Sequence, residues 1–271
     1  MGQLYDLQLQ FVVSKASMAQ SNRNIQVSVG RIKKQVPGCH LETVGSACVV
    51  QFPGDYSANQ PSTSVSLKDQ TFLVTTSQVI KKSELLSSKS CTADFSPVKW
   101  GGIQTFQLNS SSPDDVQEAC IPGEHEISLI YIPTEPFHKQ KFFSWLFSKD
   151  NFQSNRSQLC YKGSCQSGSQ AFPGSKPEFY CYVLHGDKPG DKFDLRCYAL
   201  EVDQSRSYYL QVLGNKAKLR RLEDFSRHEY PKGSVILNEK EEVVGFLAFG
   251  DDDKIVPVFF PQDRLQLEGI N

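Results

Sequence analysis

The stretch from residue 230 to 250 constrains the fold most. Tyr230-Pro231-Lys232-Gly233-Ser234 has the chemistry of a tight turn, since Pro fixes one backbone torsion and Gly admits the left-handed region. Val235-Ile236-Leu237-Asn238 then reads as a strand, residues 239–242 as a charged hairpin, and Val243-Val244-Gly245-Phe246-Leu247-Ala248-Phe249-Gly250 as a second strand. Elsewhere, apolar β-prone runs alternate with Ser- and Gly-rich turns at intervals of roughly ten residues, which predicts an all-β barrel or sandwich.

Composition is compatible and less specific. A chain of 271 residues suffices for one large all-β domain or two small ones. At 39% hydrophobic it can fill a sizeable core, and a formal net charge of −1 argues against bulk attraction to nucleic acid or anionic membrane. No run approaches the ~20 apolar residues that span a bilayer. Residues 1–20 lack the basic-then-apolar layout of a secretory signal, which leads us to expect an intracellular protein. The eight cysteines (39, 48, 91, 120, 160, 165, 181 and 197) include no C-x-x-C pair, so buried free thiols are expected rather than a disulfide framework or a zinc site. No cofactor or metal is expected.

Along the chain, residues 1–40 read as an N-terminal extension. Tyr5, Leu7, Leu9, Phe11 and Val13 alternate with mostly polar residues, and Ile25, Val27 and Val29 repeat the pattern. Arg31, Lys33 and Lys34 follow and read as a solvated basic patch. Residues 41–133 form one candidate β unit and 179–271 another. Between them, residues 134–178 are poor in strand signal but carry an aromatic cluster from Phe137 to Phe147. Such a cluster either plugs the seam between two units or marks a binding surface.

The 230–250 segment resembles the nucleophile turn and following strands of trypsin-like serine proteases, where the pattern runs G-[DN]-S-G-[GS]-P-[VL] and then V-V-G-[IV]-x-S-[WF]-G. Three upstream segments fall in the matching order. Gly45-Ser46-Ala47-Cys48-Val49-Val50 resembles the strand that opens the first barrel. Thr71-Phe72-Leu73-Val74-Thr75-Thr76-Ser77-Gln78-Val79-Ile80 resembles the strand and turn that present the catalytic histidine. His125-Glu126-Ile127-Ser128-Leu129-Ile130-Tyr131-Ile132 resembles the strand bearing the aspartate. The resemblance implies two six-stranded antiparallel β-barrels, and in style it is similar to intracellular or HtrA-like members.

It also implies that the chemistry has been removed. Gln78 stands at the histidine's place, Glu126 at the aspartate's and Lys232 at the serine's, while Tyr230 replaces a glycine that shapes the oxyanion hole. The expectation is a protein that is not an enzyme, a pseudoprotease. What survives is a strand edge, Leu247, Ala248, Phe249 and Gly250, against which the family lays an extended peptide. A protein or peptide partner follows, with Asp251, Asp252 and Asp253 beside the edge. The alternative is an active hydrolase with a relocated nucleophile at Ser234, Ser77 or Cys165. Nucleic-acid binding through Lys33–Lys34 and the basic cluster of Lys216, Lys218, Arg220 and Arg221 is disfavoured by the near-neutral charge.

Overall fold

The computed structural model describes residues 28–36, 38, 40–51, 71–87, 90–95, 103–109, 116–121, 127–133, 157–159, 179–185, 194–202, 208–212, 220–221, 229–238, 242–249, 255–259 and 266–267. The structure is all-β, with short helical content at α1 (Lys82–Leu86).

The strands fall into two antiparallel sheets. In the first, β1 (Val29–Gln35), β2 (Leu41–Gln51), β3 (Thr71–Thr76), β4 (Cys91–Phe95), β5 (Gln104–Gln107), β6 (Gln117–Ile121) and β7 (Ile127–Pro133) lie in the order β5-β4-β1-β2-β3-β7-β6. In the second, β9 (Phe179–His185), β10 (Asp194–Val202), β11 (Tyr208–Val212), β12 (Arg220–Arg221), β14 (Val235–Asn238), β15 (Glu242–Phe249) and β16 (Ile255–Phe259) lie in the order β12-β11-β10-β9-β14-β15-β16. A two-residue strand, β13 (Glu229–Tyr230), also pairs with β9. The ladders among the described residues do not complete a ring of six strands in either half.

Two short strands stitch the halves together. β8 (Ser157–Leu159) runs parallel both to β2, through Val50 and Gln51, and to β15, through Glu242 and Val243. β17 (Gln266–Leu267) returns from the end of the second half to pair with β6 in the first. β8 falls in the stretch read as a strand-poor connection. β1 falls in the stretch read as an N-terminal extension, yet it sits between β2 and β4 in the interior of the first sheet.

Strand periodicity divides the apolar residues into three cores. One face of the first sheet supplies Ile32, Ala47, Val49, Leu73, Ala93, Phe95, Phe106, Ile130 and Ile132, joined by Val79, Ile80 and Leu85. Phe106 of β5 and Ile132 of β7 share this core although four strands lie between theirs in sheet order, so the sheet wraps round it. One face of the second sheet does the same with Cys181, Val183, Tyr198, Leu200, Ile236, Val244 and Leu247. The alternate residues of both sheets meet in a middle core: Cys48, Val50, Phe72, Val74 and Tyr131 from the first, Tyr182, Val235, Leu237, Val243 and Phe246 from the second. The period of two sends neighbouring residues to opposite faces. It explains why residues 47–50 of β2, 72–74 of β3, and most of β14 and β15 read as apolar runs: both faces are covered there. Each such side chain is worth about 1.5–3 kcal/mol relative to leaving it in water.

The basic residues of β1 do not form the solvated patch the sequence suggests. Arg31 is only 7% exposed and its Nη2 donates to Asp94 Oδ2 at 2.9 Å, with Lys33 Nζ 2.8 Å from the same oxygen and Thr105 donating to Oδ1 at 2.7 Å. Burial alone would raise the Asp94 carboxyl; the hydrogen bonds from Lys33, Thr105 and Arg31 outweigh it and hold the group below its ordinary value. Lys34 points the other way. Its ammonium bonds Glu84 at 2.7 Å, and Glu84 accepts the Lys81 N–H that opens α1. The reading as a solvated patch failed because acids 63 and 50 residues downstream meet these cations.

Candidate functional site

Two turns, one from each half, meet across the middle core. After β3, the Thr76 carbonyl accepts from the N–H groups of Val79 (2.9 Å) and Ile80 (3.2 Å), closing a tight turn. Val79 and Ile80 drop into the first core, and Gln78 is left exposed at the rim. Apolar residues on one side of a turn and a polar one on the other fix which way it faces.

The second turn interrupts a strand. β13 and β14 both lie along β9, with Tyr230 opposite Leu184 and Ile236 opposite Cys181, and the chain between them loops out at residues 231–234. Ser234 N–H donates to the Pro231 carbonyl at 3.0 Å and closes the loop. Gly233 N–H donates to the Leu247 carbonyl at 2.9 Å, and Leu247 N–H to the Ser234 carbonyl at 2.8 Å, tying it to β15. From the other half, Ser46 N–H donates to the Lys232 carbonyl at 2.9 Å.

Glycine makes that contact between halves possible. Gly233 has φ +76°, in the left-handed region. On β2, a Cβ at Gly45 would lie 2.7 Å from the Lys232 carbonyl oxygen. The two backbones therefore touch directly, and Thr75 Oγ1 donates to the Ser46 carbonyl at 2.8 Å to hold β2 in place.

On this frame, Gln78 and Lys232 converge on one residue, Phe249. The side-chain amide of Gln78 donates from Nε2 to the Phe249 carbonyl at 2.5 Å and accepts the Phe249 N–H on Oε1 at 2.7 Å. Lys232 is half-buried, with its ammonium 4.4 Å from the centre of the Phe249 ring. Leu247 and Phe249 thus turn their peptide groups toward the 231–234 turn and Gln78. Ala248, between them, turns its own toward Val256 of β16, as strand alternation requires.

The other residues singled out by sequence fall as follows. Glu126, Gly250, Asp251, Asp252, Asp253, Cys165 and Phe137 to Phe147 lie outside the described residues. Ser234 is fully buried and Ser77 half-buried. His185 is buried with Nε2 2.8 Å from the Tyr198 hydroxyl, and His40 is exposed beside Glu42. Among the described residues no group of three His, Cys, Asp or Glu could hold a metal ion, and no helix is long and apolar enough to cross a membrane. The Gln78–Phe249 bonds were not visible in the sequence, because their partners are 171 residues apart.

No family model matches the chain, and no curated protein matches it. Among solved structures it is similar to the Rv3671c protease in an inactive form, with TM-score 0.36 and 10% identity over 87% of this chain and 84% of that one. A mutant, inactive form of Rv3671c from M. tuberculosis H37Rv gives TM-score 0.35 and 10% identity over 87% and 82%. A likeness this loose carries no argument about what the chain does.

Proposed function

We propose that this chain is a catalytically inactive protein of the trypsin-like two-barrel kind, and that it binds an extended segment of a partner protein or peptide along β15 at Leu247, Ala248, Phe249 and Gly250. The observation that carries the reading is the convergence of Gln78 and Lys232 on Phe249. The two residues that the resemblance sets at the places of a protease's base and nucleophile both contact Phe249. Neither can do the chemistry. A glutamine amide has no proton to shuttle near neutral pH, and both its polar atoms are already engaged by Phe249. An ammonium has no lone pair with which to attack a carbonyl.

The backbone supports the same reading. An oxyanion hole needs N–H groups aimed at one point in front of the nucleophile. At Tyr230 the chain is an extended strand paired with Leu184 of β9, and Pro231 follows. Cys91, Cys181 and Cys197 are free thiols, which fits the intracellular location the reading includes. The basic residues of β1 are spent on Asp94 and Glu84, which weakens a nucleic-acid reading. Of the relocated nucleophiles, Ser234 is sealed beneath the turn with no exposure.

Two variants of β15 test the binding edge. Phe249→Pro removes the N–H that faces the cleft, whereas Ala248→Pro removes one that faces β16. Peptides selected from a displayed random library on the native protein should lose binding to folded Phe249→Pro. Unchanged binding would exclude the Phe249 edge. Fluorophosphonate labelling of a single serine, abolished by denaturation, would favour the hydrolase alternative instead.

A further inference from the structure

We infer that Gln78 is a displaceable latch that occupies the peptide-binding edge with its own side-chain amide; this rests on the peptide-binding reading and names how that site is regulated. A primary amide presents one donor and one acceptor side by side, as a residue of an added strand presents its N–H and C=O. Gln78 uses both against the N–H and C=O of Phe249, at 2.7 and 2.5 Å. It therefore satisfies the one cleft-facing residue of β15 that the 231–234 turn leaves unsatisfied, since Leu247 is already bonded to Gly233 and Ser234.

The latch is built to open. Gln78 is exposed, so its amide can exchange Phe249 for water at little cost, and its turn is anchored by Val79 and Ile80 rather than by Gln78 itself. An extended chain entering along β15 must bring its own N–H and C=O to Phe249 and so expel the amide. The exchange is near-neutral in hydrogen-bond number, which makes affinity depend on what else the incoming segment offers. Lys232, with its ammonium above the Phe249 ring, adds a cation beside the exchanged bonds, so an acidic residue on the segment gains most.

The test reads latch and binding separately. Hydrogen exchange at the Phe249 amide is measured in the native protein, in Gln78→Ala and in Gln78→Glu, which keeps an acceptor for the N–H but loses the donor to the carbonyl. Exchange should speed up at least about fivefold in Gln78→Ala, with Gln78→Glu between. Peptides selected from a displayed random library on Gln78→Ala should bind that variant about fivefold or more tightly than they bind the native protein. They should restore Phe249 protection and be enriched in Asp or Glu. Equal exchange in native protein and Gln78→Ala overturns the latch even if peptides bind. Faster exchange with no peptide that restores protection leaves Gln78 capping an edge that takes no partner, which overturns the binding reading and with it the regulatory role. If Gln78→Ala fails to fold, an unfolded Gln78→Glu as well makes Gln78 a structural brace and overturns the latch.

Discussion

The carbonyl oxygen of Ser46 lies 2.1 Å from where a Cβ at Gly233 would stand. This contact welds the 231–234 turn of the second half to β2 of the first. Gly233→Ala must therefore push backbone against backbone in a buried place and hold a side chain at φ +76°. We expect a loss of about 3 kcal/mol, measured by urea unfolding. Gly38→Ala is the control: it too has positive φ, but the nearest atoms belong to His40 at 3.5 Å, so only backbone strain of about 1 kcal/mol applies.

Asp94→Ala should cost about 3–5 kcal/mol, because Arg31 would stay buried without the carboxylate that accepts from its guanidinium. The carboxyls of Asp94 and Glu84 are held below their ordinary values in the folded protein. For Glu84, burial pushes upward and the bonds from Lys34 and the Lys81 N–H overcome it. Between the folded and unfolded values the unfolded chain binds more protons, so their contribution is complete only above about pH 5 and is lost as pH falls through the unfolded and then the folded values. Acid unfolding of Asp94→Asn should show a shallower slope in that range than the native protein.

Thiol chemistry should be suppressed in the fold. Burial pushes Cys91 up to about 12, Cys197 up to about 11 and Cys181 well above its ordinary value. At neutral pH none is a useful thiolate. Iodoacetamide should leave these three unmodified in native protein and alkylate all of them in urea, read by peptide mass spectrometry.

Restoring the triad side chains should not restore hydrolysis. A protein carrying Gln78→His, Glu126→Asp and Lys232→Ser still has Tyr230 paired in β13 and Pro231 behind it. Turnover of a fluorogenic peptide ester should remain at background, and measurable burst kinetics would show that the backbone is competent after all.

Local pattern carried much of the architecture. The Gly45–Val50 run became part of β2, residues 71–80 became β3 and its turn, and residues 235–249 became β14 and β15 with a hairpin between. Each was legible because turn chemistry and apolar composition lie within a few residues of each other. β1 was not placed in its sheet, because its basic residues hid an interior strand until Asp94 met Arg31 and Lys33 and Glu84 met Lys34. β8 has three residues, too few to show a period. At the site, the identities Gln78 and Lys232 were readable from the resemblance, but their meeting at Phe249 depends on how the two sheets stack, and no local signal encodes that.

Both sheets give one face to the middle core, with Val50 and Phe72 lying against Val235 and Phe246 in a single cluster. Neither half of the chain owns a finished surface. A protease nick or a truncated message that released residues 1–150 would expose a stripe of Cys48, Val50, Phe72, Val74 and Tyr131. The two halves are therefore expected to fold and unfold as one cooperative unit, and neither should be stable when expressed alone.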